Sequence, residues 1–163
     1  MPRTHEDVRR YLENHHLPGE VITFSHPTRT VEEAARAVGV EPARILKTLL
    51  FMVKGGEPVL VLAAGTTRVD YKALAQFLGL SRKKVRLASP EEVLNWTGYP
   101  VGAVPPLALA RPLRVLMDEA LLAFPEVYAG GGSTTALLRI PLETLKQATG
   151  AQVVSLARHQ ASP

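Results

Sequence analysis

No cysteine occurs among the 163 residues, which excludes disulfides, thiolate nucleophiles and cysteine-type zinc sites together. No apolar run approaches the roughly 18 residues that a membrane-spanning helix requires, so no membrane partner is expected. The opening segment, MPRTHEDVRRYLENHH, is charged from its start and lacks the apolar core of a signal peptide, which makes the cytoplasm the expected location. Net charge is also scarce. Nineteen basic against 15 acidic residues leave a formal +4, which permits a nucleic-acid partner without requiring one. The histidines show neither HExxH nor paired spacing: His5, His15 and His16 fall on a first helix, His26 precedes a proline, and His159 is in the tail. Neither a metal site nor a cofactor is expected.

What is present is an ordinary globular composition, 46% hydrophobic and 21% charged, in a length that fits one domain over residues 1–163. Helix starts are marked by capping residues: Thr4 with Asp7, Thr30 with Glu33, Asp70, and Ser89 with Pro90 and Glu92. Strands are expected at EVITF, at the apolar run ending LLFMV, at VLVLAA, KVRLA and LRVLMD, and on either side of GGGSTT. These elements interleave irregularly, with hairpin turns between several of them. The fold class expected is mixed α/β, with a mixed and mostly antiparallel sheet.

Within ARILKTLLFMV, residues 43–53, one ammonium interrupts an apolar run. On a strand, Ile45, Lys47, Leu49, Phe51 and Val53 share one face, and Leu46, Thr48, Leu50 and Met52 the other. Both faces are apolar, as in a strand covered on both sides. A lone buried ammonium costs several kcal/mol, so Lys47 should open onto a pocket or groove. A lysine snorkelling at a strand edge fits the pattern slightly better.

Two glycine-bearing loops add candidates. In GYPVGAVPP, residues 98–106, Gly98 and Gly102 lie among Pro100, Pro105 and Pro106, and such a loop can offer fixed N–H groups to an anion or a developing oxyanion. In GGGSTT, residues 130–135, glycines allow close approach and Ser133 supplies a hydroxyl. Each alone reads as a turn. The basic stretch SRKKVR reads as a solvated face, with phosphate contact as the minority reading. No Ser-His-Asp or Cys-His arrangement follows from the spacing, so water is the expected nucleophile of any hydrolysis.

Taken in order, SHPTRTVEEAARAVGV, KTLLF, DYKALAQFLGL, TGYPVGAVPPLAL, VLMDEAL and YAGGGS resemble the YbaK/ProX family. These are aminoacyl-tRNA deacylases related to the editing domain of bacterial prolyl-tRNA synthetases. The resemblance covers about residues 20–157, with residues 1–19 forming an additional N-terminal helix. It implies a barrel-like sheet surrounded by helices, and hydrolysis of the ester of a mischarged tRNA carrying a small non-cognate amino acid. It implies tRNA(Pro) as the carrier. The mischarged tRNA acceptor end is the implied partner, and a cognate aminoacyl-tRNA synthetase is a further candidate partner.

The resemblance assigns catalysis to Lys47 and Gly102. It assigns substrate binding to His26, Gly98, Tyr99, Val101, Pro105, Pro106, Gly130, Gly131, Gly132 and Ser133, and it reverses the preference for an edge lysine at position 47. The chain departs from YbaK itself after the glycine turn, where GGGSTTALLRI has no Asp. That leaves the choice among mischarged Cys, Ala or another amino acid open. The alternative function is a non-catalytic module that binds a tRNA end or a nucleotide.

Overall fold

The structure, a computed structural model, describes residues 2–158; His159 lies outside them. Capping chemistry sets the helix boundaries. Thr4 and Thr30 form reciprocal capping boxes that open α1 (His5–Asn14) and α2 (Val31–Val38). Asp70 caps α3 (Tyr71–Phe77) through the N–H groups of Lys72 and Ala73. Ser89 forms a third capping box, at the start of α4 (Pro90–Thr97). Gly39, Gly98 and Gly150 end α2, α4 and α5 (Leu142–Thr149) in the left-handed conformation, where a side chain would be strained.

Among the described residues eight strands form two sheets. One has three strands in the order β1 (Glu20–Thr23), β7 (Ala136–Pro141), β6 (Glu126–Gly130). The other has five, in the order β4 (Val85–Leu87), β2 (Leu46–Val53), β3 (Val59–Ala64), β5 (Arg114–Asp118), β8 (Gln152–Val154). The pairs β3–β5 and β5–β8 are parallel and the other ladders antiparallel. The mixed sheet is as expected from the sequence, but the barrel-like closure is not. The strands divide into two separate sheets joined by a single parallel bridge, Ile45 to Tyr128. The physical reason is that the outer side of β2 is divided. The residue leading into it bridges to β6 and its last residues pair with β4, so no continuous ladder runs around the molecule.

Alternation along the strands then places the core. Leu46, Leu50, Leu60, Leu62 and Met117 face a cluster that includes Val127, Leu138 and Ile140 of the smaller sheet. Phe51, Val59, Val61 and Leu116 point the other way, onto Leu74 and Ala75 of α3. Every residue of β3 is buried, as expected of a strand covered on both faces. A third cluster seats α2 through Ala34 and Ala35 against Ile45 and Leu137.

Asp118 closes the larger sheet. It is fully buried, and its carboxylate accepts the Leu156 N–H at 2.7 Å and the Ala120 N–H at 3.1 Å. Truncation would leave both donors without a partner. Asp118→Ala is expected to cost about 2–4 kcal/mol in urea unfolding, with Asp118→Asn costing less because one acceptor oxygen remains.

Candidate active site

The cavity of interest, about 290 Å³, arises where the β2 ladder stops. The partner β4 pairs only Phe51, Met52 and Val53, and Ala88 N–H then reaches Leu50 C=O at 2.9 Å. At the other end Ile45 bridges to Tyr128. Between these points residues 47–49 pair with no strand on their outer side among the described residues. Antiparallel alternation, carried down from Leu50, turns the N–H and C=O of Thr48 toward this open edge. Space remains there because the β1–α2 connection and the 101–104 loop stand off from the strand instead of pairing with it.

The walls come from four segments. Thr28, Arg29 and Thr30 lead into α2, whose Val31 and Ala34 add apolar surface. The strand contributes Ile45 through Leu50; Leu87, Ala88 and Val93 close the β4 side; and Val101, Gly102, Val104, Gly130 and Leu137 complete the far wall. The lining contains no Asp, Glu or His. Among the described residues no group of three or more His, Asp or Glu could hold a metal ion.

Lys47 lies in this cavity, half-buried, and burial lowers its pKa from the ordinary lysine value. Among the described residues no carboxylate lies within ion-pair distance of it. The edge and pocket descriptions of this lysine therefore coincide, since the cavity is the locally unpaired edge of an otherwise internal strand. Beside it, the Thr48 hydroxyl oxygen is buried without a hydrogen-bond partner, a state that costs about 1–3 kcal/mol.

Gly102 is explained by its turn. Ala103 N–H donates to Pro100 C=O at 3.1 Å, and Gly102 has φ +89° at the third position, the geometry of a type II turn. A Cβ on Gly102 would also lie 3.1 Å from Arg29 Nε. The turn is docked onto the second glycine loop: Gly132 N–H donates to Ala103 C=O at 2.8 Å, and a Cβ on Gly130 would come within 2.3 Å of Val104 C=O. The β1–α2 connection is tied to the same loop by the Thr28 N–H to Thr134 C=O bond, 2.8 Å.

Of the residues singled out in the sequence, Lys47, Val101, Gly102 and Gly130 meet at the cavity. The rest are placed outside its lining. Tyr99 is 0% exposed and its hydroxyl donates to Ala108 C=O at 2.7 Å. Gly98 is the left-handed cap of α4, and its C=O accepts from Arg3 N–H at 2.8 Å. Pro105 and Pro106 are buried behind the turn. Gly131 sits inside the hairpin against Ala136, and Gly132 lets the start of α1 approach, since a Cβ there would lie 2.8 Å from Thr4 C=O.

Ser133 also belongs to the α1 contact: its Oγ accepts His5 N–H at 3.1 Å and lies 2.8 Å from His5 Nδ1. His26 is exposed and packs against Phe24, with ring centroids 5.6 Å apart. Sequence reasoning did not single out Thr28, Arg29 or Thr30 for the cavity, although they adjoin the Thr30 capping box it did find. Thr48 was placed only by its strand face.

Comparison with known proteins fits this arrangement. Residues 25–158 match the aminoacyl-tRNA editing domain. The chain belongs to that family. It is 33% identical over 142 residues to the uncharacterized protein YwhH of Bacillus subtilis (strain 168), covering 87% of this chain and 88% of that one. It is 39% identical over 101 residues to a proline–tRNA ligase of Maridesulfovibrio salexigens, spanning 62% of this chain but 17% of the ligase. A solved structure described as a proposed trans-editing enzyme for prolyl tRNA synthetase superposes with a TM-score of 0.86 at 38% identity, covering 95% of this chain and 97% of that one. The match to the editing family begins at Ser25, so α1 lies before it.

Two substitutions separate cavity from core. Burial pushes the Tyr99 phenol up to about 12. A raised phenol pKa contributes stability that is fully present below its unfolded value, about 10, and lost as pH rises toward 12. Tyr99→Phe is expected to cost about 1 kcal/mol at neutral pH and to lack that alkaline loss relative to wild type, measured by urea unfolding across pH. Gly130→Ala is expected to cost about 1–3 kcal/mol and to displace the 101–104 loop, visible in a crystal structure of the variant.

Proposed function

We propose that this protein is a trans-editing deacylase that hydrolyses the ester of a mischarged tRNA, with tRNA(Pro) bearing a small non-cognate amino acid as the substrate class. The observation that carries the reading is Lys47: an uncompensated, half-buried cation in a carboxylate-free cavity of an editing-family chain. The relation to proline–tRNA ligases and to the trans-editing neighbour supports the choice of tRNA.

The chemistry depends on what the cavity has and lacks. A water oxygen attacks the ester carbonyl carbon, the bond to the terminal ribose oxygen breaks, and the free amino acid and the ribose hydroxyl leave. The three lining threonines have no His, Asp or Glu beside them in the cavity, so none is set up as an activated nucleophile. With Lys47 assigned as the cation, the base that takes the water proton comes in this reading from the substrate, whose ribose hydroxyl and α-amino group both stand next to the ester.

The protein contributes electrostatics. Lys47 places positive charge beside the reacting end, where a partly dry cavity strengthens it. Gly102 N–H has no hydrogen-bond partner among the described residues, and the type II turn fixes its direction, which suits it to an oxyanion. Size is the selector in this reading, with Ala34, Ile45, Leu49 and Leu137 supplying apolar wall against the side chain. One methylene in such a pocket is worth about 1–3 kcal/mol.

The test is a panel of tRNAs mischarged with Ala, Cys, Ser and other amino acids, each incubated with and without EDTA. Wild type is expected to release a small amino acid at the same rate in both. Lys47→Ala is expected to lower kcat at least about 100-fold, in line with loss of one oxyanion-stabilising group. Tight tRNA binding without turnover of any ester would instead make the protein a tRNA-end binding module, and wild-type turnover unaffected by Lys47→Ala would remove the assigned role of the lysine.

A further inference from the structure

Arg29 stands at the rim of the cavity, exposed to solvent yet part of its wall. Its aliphatic stem lies along Gly102, where an added Cβ would meet Arg29 Nε at 3.1 Å and its Cβ at 3.3 Å. Several other arginines have partners, and Arg36, Arg68 and Arg158, which have none among the described residues either, do not line the cavity. Arg44, Arg86 and Arg139 pair with carboxylates, and Arg82, Arg111 and Arg114 lie over aromatic rings. Arg29 has no carboxylate, carbonyl or ring partner among the described residues.

A guanidinium at the rim of a cavity whose lining holds no carboxylate, with a second cation inside, makes the entrance attractive to an anion, the nearby Glu33 carboxylate being engaged by the Thr30 N–H. A nucleic-acid 3′ end meets that entrance in a fixed order. Its ester enters first, the terminal ribose comes next, and the phosphodiester that joins the last two nucleotides reaches the rim. The planar fork of arginine matches phosphate oxygens two at a time.

We infer that Arg29 is a phosphate-binding residue that grips the backbone of the single-stranded 3′ end as it enters the cavity. Its ligand is the one that the editing reading supplies, and on that reading the inference rests. Gly102 then has two functions in one position: it closes the type II turn and leaves the bed on which the Arg29 stem lies. Arg29 acts on binding, and Lys47 acts on the reacting end.

The experiment compares ligands with and without that phosphodiester. The dinucleoside phosphate CpA and adenosine are titrated against wild type, Arg29→Gln and Arg29→Lys. Wild type is expected to bind CpA about tenfold more tightly than adenosine, as one charge-assisted contact allows. Arg29→Gln should abolish that preference without changing adenosine binding, and Arg29→Lys should retain part of it. The salt dependence of tRNA binding should fall in slope by about 0.7 in Arg29→Gln, the value for one single-strand phosphate contact.

A kinetic arm uses an aminoacylated CCA trinucleotide and the corresponding aminoacyl-adenosine. Arg29→Gln should raise KM for the first and leave kcat, while hydrolysis of the second stays at the wild-type rate. Equal losses on both substrates, or wild-type binding of CpA no tighter than adenosine, would overturn the assignment. Failure of wild type to hydrolyse either ester would overturn the editing reading alone, because the CpA titration still decides Arg29.

Discussion

The structure turns on an incomplete ladder. The strand β2 is paired along its inner side by β3, but on its outer side only by β4 at one end and a single bridge at the other. A strand edge with unpaired backbone groups costs free energy and invites non-specific pairing. Here the gap is kept open and roofed by the β1–α2 connection and the 101–104 loop, each of which hydrogen-bonds to the loop between β6 and β7 instead of to the strand. The cavity is thus a consequence of strand lengths: extending β4 by one more pair would fill the place that Lys47 and Thr48 now border.

Keeping such a gap requires a rigid roof. The type II turn at Gly102 is locked from within by the Pro100–Ala103 bond and from behind by Gly132. The glycines there serve two requirements. Gly102 supplies the positive φ of the turn, while Gly130 allows the turn to sit close on β6, since any side chain would strike Val104 C=O. Residues 3–5 of the N-terminal segment brace the same assembly, with Arg3 on Gly98 and Ala108 and His5 on Ser133. Preorganisation of this kind lets backbone dipoles act on a bound ligand without reorganising when it arrives.

Local chemistry in the sequence was enough to locate the starts of α1 to α4, because Thr30 with Glu33, or Ser89 with Glu92, satisfies orphan N–H groups wherever the rest of the chain goes. Lys47 stood out for a similar reason, as an ammonium inside an apolar run, but the pattern alone slightly favoured a strand edge and the family resemblance was what turned the reading to a pocket. The remainder of the cavity was not legible, because its walls depend on pairings between distant segments. Nothing in VRLAS says that β4 will stop at Leu87 and leave Ala88 facing the cavity. The loop holding His26 was noticed, but a local reading could not show that Thr28 and Arg29, two and three residues on, are the ones that border the cavity. Tyr99 misled in the opposite sense. In a glycine- and proline-rich loop an aromatic ring resembles a ligand contact, whereas here its hydroxyl has a buried carbonyl, Ala108, and its ring completes the core.

The two buried polar groups beside the gap show how much the fold gives up there. Lys47 is held where burial disfavours its charge, and the Thr48 hydroxyl has no partner. A fold selected for stability alone would place apolar residues at both positions, since the neighbours Ile45, Leu46, Leu49 and Leu50 already form apolar surface on either face. A bound anion reverses the balance at Lys47, because it favours the ammonium that burial disfavours and so links binding to proton retention. Arg29 differs in kind: being exposed, it costs little to keep, and it draws an anion in without discriminating among the groups attached to it. Attraction at the rim and discrimination inside the cavity therefore rest on different residues, and the stability cost falls only on the inner pair.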